Sequence, residues 1–272
     1  MRLSVTSWSF PQCTLAEAAG IAKALGIDGI DVGYFYAASL DRARVLAQPD
    51  AYGAEIRESL PVAVANLYHL FGADLTERNL ARGHDPQNLA DLRQVLRFCK
   101  AAAAPTVFLL PGMLGPGQGR KEALNSTIEA LKPMVEAGRE AGVTVAIEAH
   151  VHSYLESPDL AHQLVEAVPG LKLTLDPAHF AVIGYRQDEI EGLAPHAGHV
   201  HLRQARPGAL QAKMEEGTLN FPAFFAALRD ARYDGWLAIE YVNQNYMATL
   251  YDDVLSETVK MRDCFRAWSG KP

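Results

Sequence analysis

The chain of 272 residues has few cysteines, no long apolar run, no surplus of positive charge and no low-complexity linker. Cys13, Cys99 and Cys264 are far apart and form neither a CxxC pair nor a Cys/His zinc spacing. That argues against a disulfide framework and for a reduced, cytoplasmic setting. The longest apolar stretch, 101–110, is broken by Pro105 and is too short to cross a bilayer. The opening MRLSVTSWSF holds one Arg and no extended apolar segment, so no secretory leader is expected. Lys and Arg number 25 against 32 Asp and Glu, a formal charge of −7. Such a chain lacks the global electrostatic footprint that nucleic acid or an anionic membrane selects, so neither is an expected partner. No GxGxxG or GxxxxGKS/T pattern follows any apolar run, which leaves a nucleotide phosphate cradle without support.

What is present is a rhythm of short apolar runs alternating with longer amphipathic ones. Residues 3–8 read as a strand. Thr14 and Glu17 form a capping box, and Leu15, Ala18, Ala19, Ala22 and Leu25 mark one helical face behind it. Gly26 stops that helix. Strand 28–33, a helical region over 37–60, strand 62–68, helix 86–103 and strand 106–110 follow. The second half repeats the pattern with helix 121–141, strand 143–149, a helix opened by Ser157 and Pro158, and strand 171–176. A short helix near 188–193, strand 198–203, helix 221–232 and strand 236–241 complete it. A last helix is expected to carry Leu250, Val254, Thr258, Met261 and Phe265 on one face. Eight strand–helix units with no composition break predict one α/β domain over 1–272, a single (β/α)8 TIM barrel.

Barrel enzymes gather their chemistry at the C-terminal ends of the strands. Here the fifth strand ends in Glu148, the sixth in Asp176 and the eighth in Glu240, while the seventh carries His199 and His201. Side chains alternate with period two, so the two histidines share a face; His201 lies nearer the mouth and His199 a layer deeper. Three carboxylates facing one cavity repel each other unless a cation sits among them. Glu148, Asp176, His201 and Glu240 are therefore the expected ligands of one divalent ion. Hard oxygens with one nitrogen suit Mn, Mg, Co or Zn.

At these residues the chain resembles the xylose-isomerase-like barrel superfamily of sugar phosphate isomerases and epimerases. The matching segments are SWSF at 7–10, LGIDGID at 25–31, AIEAH at 146–150, LDPAH at 175–179, HVHLR at 199–203, EEGTLNF at 215–221 and YDGWLAIEY at 233–241. The resemblance implies the same four metal ligands and places His179 where relatives bind substrate or a second metal. It also implies a catalytic pair, Glu148 and Glu240, one removing an α-proton and the other returning it. The sequence departs from the pattern twice. Arg203 and Gln204 stand where many members have Lys-Asp, and Tyr154 stands where ketose 3-epimerases have a substrate-binding Glu.

The expected function is thus an isomerase or epimerase acting on a small carbohydrate or keto acid through a metal-stabilised enediolate. The alternative is a lyase of the dehydratase kind, which shares the first proton removal and needs an acid over the leaving group. His150, His152 and His179 are candidates for that acid. Arg206, on a loop with Arg203 and Lys213, is a candidate anion binder. Trp8, at the mouth of the first strand, and His69, just beyond the third, are further candidates for substrate contact. A homo-oligomer is compatible with the composition.

Overall fold

In a computed structural model that describes residues 1–247, 249–251 and 253–270, eight parallel strands close into a barrel in chain order. They are β1 (Arg2–Thr6), β2 (Gly29–Val32), β3 (Ala63–His69), β4 (Thr106–Leu109), β5 (Thr144–Glu148), β6 (Lys172–Leu175), β7 (Ala197–Leu202) and β8 (Trp236–Ile239). The flanking helices are α1 (Leu15–Ala24), α2 (Arg42–Ala47), α3 (Pro49–Ser59), α4 (Pro86–Ala102), α5 (Arg120–Ala141), α6 (Pro158–Ala167), α7 (Ala178–Ala181), α8 (Gln187–Glu191), α9 (Phe221–Asp230) and α10 (Val254–Ser269).

The cap on α1 is the expected one, with Thr14 Oγ1 accepting from Glu17 N–H and Glu17 returning the bond to Thr14 N–H. Three expectations are corrected. The single helical region over 37–60 is two helices, because Gln48 leaves helical geometry at φ −136° ahead of Pro49. Proline fits best in the first turn of a helix, and Pro49 stands at the start of α3 rather than continuing α2. Leu250 is not on the face of the last helix; it precedes α10 and is 65% exposed. Trp8 is not on β1 but in a single 3₁₀ turn, Ser7–Ser9, just beyond it.

The strand pleat sorts the interior. Val107, Leu109, Val145, Ile147, Leu173, Leu175, Val200 and Leu202 face outward into the main apolar core under the helices. The inner face is polar at its base. Ser4 Oγ donates to Asp31 Oδ1 at 2.8 Å, Asn66 Nδ2 donates to Asp31 Oδ2 at 3.1 Å, and Thr106 Oγ1 donates to Asn66 Oδ1 at 2.7 Å. His199 Nε2 lies 2.6 Å from Asp31 Oδ2. Ser4, Asn66 and Thr106 are linked around this one carboxylate, while Thr174 Oγ1 and His199 Nδ1 in the same interior make no hydrogen bond. The sheet slips register next to Asp31 in β2 and next to Thr174 in β6, opposite His199. At the second slip stands Gly198, where a Cβ would meet Lys172 Cβ at 2.6 Å, so a side chain would push the two strands apart.

Candidate active site

Four C-terminal strand ends build the site. Glu148 closes β5, Asp176 follows β6, Glu240 follows β8, and His201 is next to last in β7. Period two turns all four into the barrel, where they are buried. One donor atom from each lies within 4.8 Å of every other. His201 sits between the two glutamates, its Nδ1 2.8 Å from Glu148 Oε1 and 3.1 Å from Glu240 Oε2. Trp8 Nε1–H donates to Glu240 Oε1 at 2.8 Å. Arg203, two residues after His201 on the same inward face, places Nη2 2.7 Å from Asp176 Oδ2 and 3.2 Å from Glu240 Oε2.

The electrostatics are those of a cluster short of positive charge. Burial pushes Glu148 up to about 7, with His201 pulling the other way. Burial also raises Asp176 against the pull of Arg203. Burial opposes ionisation of Glu240 too, but Arg203, His201 and Trp8 outweigh it and hold its pKa at about 2. Burial disfavours the His201 imidazolium, yet Glu240 and Glu148 together raise it well above the usual histidine range. A dication that displaced the His201 proton would bring three carboxylates, one guanidinium and the ion to a net charge of zero. Glu240 Oε2, buried, lies beside His201 and Arg203 but forms no well-aligned hydrogen bond with either, which leaves a lone pair for a cation. Donor type, burial and charge balance therefore fit a divalent ion held by Glu148, Asp176, His201 and Glu240.

Above the cluster opens a cavity of about 360 Å³ walled by Trp8, Phe35, Tyr68, Phe108, Glu148, His150, His179, Arg203, Glu240 and Tyr246, among others. Phe35 stacks on Tyr68 and Tyr68 on Phe108, so one side is an aromatic wall. The opposite side carries imidazoles. His179 Nδ1 accepts from Val151 N–H at 3.2 Å, and its Nε2 lies 3.0 Å from Arg203 Nη2. His150 packs against it with ring centroids 4.0 Å apart and turns Nδ1 to the Val151 carbonyl at 2.6 Å. Burial lowers the pKa of His150 to about 4 and that of His179 well below the usual range. Both are neutral in this setting and poor reservoirs of a proton for a leaving group.

The other candidates fall in different places. Trp8 and His179 line the cavity beside the cluster. His69 ends β3, is fully buried beside Phe71, and sets Nδ1 3.3 Å from the Tyr34 hydroxyl. It lines a separate, smaller hollow under the loop after β3. His152 lies at an exposed turn with φ +70°. Arg206 is exposed in the tight turn closed by Arg206 N–H to Ala209 C=O at 3.1 Å and is not part of the cavity wall. The cation the fold puts in the cavity is Arg203, which strand parity with His201 could have located. Asp31, next to last in β2 and the last residue of the LGIDGID segment, is a buried carboxylate near His201 that its sequence position alone does not single out.

A closed (β/α)8 barrel with carboxylates and an imidazole converging at its mouth defines a class of barrel with a metal-capable centre. The sequence profile of the xylose isomerase-like TIM barrel matches residues 19–263, and the chain belongs to this family. A human protein named putative hydroxypyruvate isomerase is 27% identical over 257 residues, covering 86% of this chain and 87% of that protein. A Pectobacterium atrosepticum protein named 2-oxo-tetronate isomerase is 24% identical over 159 residues, covering 56% of this chain and 60% of that protein. A solved structure of an IolI protein with a zinc atom shares the fold at a TM-score of 0.74 and 15% identity, covering 98% of each chain. No helix among the described residues is long and apolar enough to cross a membrane.

Proposed function

We propose that the protein is a divalent-metal-dependent isomerase or epimerase that moves an α-proton on a small hydroxy-carbonyl compound. The carrying observation is the convergence of Glu148, Asp176, His201 and Glu240 on one point, with Glu148 and Glu240 lining the cavity. The isomerase names of the relatives support the same reading. A divalent ion held by Glu148, Asp176, His201 and Glu240 would supply Lewis acidity for the substrate carbonyl and for the negative charge that builds as the α-proton leaves. Glu240, ionised and oriented by Trp8 Nε1–H, takes the α-proton, and Glu148, in its protonated form, delivers its own proton to the neighbouring carbon or to the opposite face, the pair being reset by exchange with solvent. Arg203 keeps Asp176 and Glu240 ionised. His179 and His150 offer neutral imidazoles to substrate hydroxyls, and the aromatic wall keeps bulk water away from the carbanionic carbon. A cytoplasmic setting suits three unpaired cysteines.

The test is metal analysis followed by solvent-deuterium exchange with ketoses and keto acids. The metal-loaded protein is expected to put deuterium into recovered substrate or its isomer, and a chelator to stop it. Glu148→Gln is expected to lose metal. Glu240→Gln is expected to keep some metal and lose turnover by about 10²- to 10⁴-fold. Loss of water and growth of an enone absorbance, in place of label without mass loss, would move the reaction to the lyase class. Equal metal content in wild type, Glu148→Gln and Asp176→Asn would remove the ligand assignment.

A further inference from the structure

A second chamber of about 150 Å³ opens off the reaction cavity and shares Leu75, Leu110, His150 and Tyr246 with it. Its own wall adds Pro111, Gly112, Met113, Val151, His152 and Ser153, and it carries no carboxylate, lysine or arginine among the described residues. Its shape is fixed by the backbone. Gly112 sits at φ +86°, where a Cβ would come within 2.4 Å of Asn79 Cβ, so a larger residue there would have to displace this stretch of the chamber wall. Tyr246 is tied across the chamber by its hydroxyl, which donates to the Val151 carbonyl at 3.3 Å.

The charges around the main cavity point the same way. Its charged wall residues are Asp74, Glu148, Arg203 and Glu240. The one guanidinium is already committed to Asp176 and Glu240. The neighbouring Arg42 and Arg78 give their donors to the carbonyls of Phe71 and Gly72, and Arg78 also pairs with Asp91 at 2.9 Å. Arg206 is exposed and outside the wall. Asp74, at the rim, adds a negative charge where a distal anionic group would pass. A phosphate or carboxylate remote from the reacting carbons would meet no free lysine or arginine among the described residues of either wall, and would lose much of its hydration without replacement.

We infer that the substrate is a hydroxy-carbonyl compound that bears an apolar substituent and no anionic group remote from its reacting carbons, with those carbons over Glu148 and Glu240 and the substituent in the side chamber. This rests on the metal-centred reading of the site and narrows it, setting phosphorylated sugars and substrates with a second, distal carboxylate aside. Apolar contact with Leu75, Leu110, Met113 and Val151 supplies binding energy remote from the chemistry, which an enzyme can use to fix the reacting carbons.

Three hydroxamates serve as probes, since a hydroxamate is a planar, metal-chelating mimic of an enediolate: acetohydroxamate, 4-phenylbutanohydroxamate and glutaric monohydroxamate. Binding to the zinc-loaded protein is read by calorimetry, with the metal-free protein as control. The phenyl probe is expected to bind about tenfold or more tightly than acetohydroxamate, because its ring leaves water for an apolar wall. The glutaric probe, with its distal carboxylate, is expected to bind no better than acetohydroxamate. Met113 is 38% exposed, so Met113→Lys adds a cation at the chamber without touching the core. That variant is expected to erase the phenyl gain and strengthen the glutaric probe. A glutaric probe as tight as the phenyl probe in wild type, or a phenyl gain untouched by Met113→Lys, would overturn the inference while leaving the proton-transfer reading in place. If acetohydroxamate bound metal-loaded and metal-free protein alike, the metal-centred reading itself would fall, and the inference with it.

Discussion

At the scale of single residues, the proposed reaction separates groups that would touch the reacting atoms from groups that would aim them, and it places Trp8 and Asp31 in the second kind. Trp8→Phe keeps the aromatic wall but removes the N–H that fixes Glu240 Oε1. A hydrogen bond to a charged group is worth about 1.5–3 kcal/mol, so kcat is expected to fall roughly ten- to hundredfold with KM little changed. Unaltered kcat would reduce Trp8 to packing. Asp31 lies beneath His201, with Oδ2 3.8 Å from its Nε2 and 2.6 Å from His199 Nε2. Carboxylates behind a ligating imidazole set its orientation and basicity. Asp31→Asn is expected to weaken metal binding about 10- to 100-fold in a metal titration, a range typical of such outer partners. An unchanged affinity would show that the polar layer serves the barrel alone.

At the scale of elements, the register slip between β6 and β7 links fold to chemistry. It lets Asp176 and His201 reach the mouth at one depth while Gly198 passes Lys172 without a Cβ. Gly198→Ala forces two Cβ atoms together where neither can swing away. It is expected to cost about 1–3 kcal/mol in denaturant unfolding and to weaken the metal site at the same time. Stability lost without any change in metal affinity would mean that the strand ends are positioned independently of the slip. The helix caps work in the other direction. Ser157 Oγ accepts from Leu160 N–H, and Thr14 does the same for Glu17, both far from the cavity. These caps were readable because their partners lie three residues away. The break between α2 and α3 was also written in the chain, at Pro49, but the apolar spacing on either side hid it.

At the scale of the whole molecule, the barrel interior buries several imidazoles in neutral form. Burial lowers His69 to about 3 and His150 to about 4, and lowers His179 and His199 as well. The unfolded chain takes up protons near pH 6.5 that the folded chain refuses. Each such group therefore contributes stability that is present above pH ~6.5 and lost as pH falls toward its folded value. The metal-free protein is expected to lose stability across that window. His69→Asn, which removes one such group outside the main cavity, is expected to make the slope shallower by about one proton. An identical slope in denaturant titrations at several pH values would show that His69 is already protonated when folded. The alternation of apolar runs and caps by itself determined the eight strand–helix units and hence the barrel, because hydrophobic period and turn chemistry are local properties. It also determined the four strand-end donors, since a strand's last inward residue must face the mouth once the sheet closes. Only the tertiary structure decided the rest. It set Arg203 against Asp176 and Glu240 and turned Arg206 out to solvent. It put Asp31 from β2 beneath His201 from β7, and it opened the apolar side chamber between loops after different strands. These depend on which distant residues share a layer of the closed sheet, and that layer is fixed by register and strand stagger rather than by any local pattern.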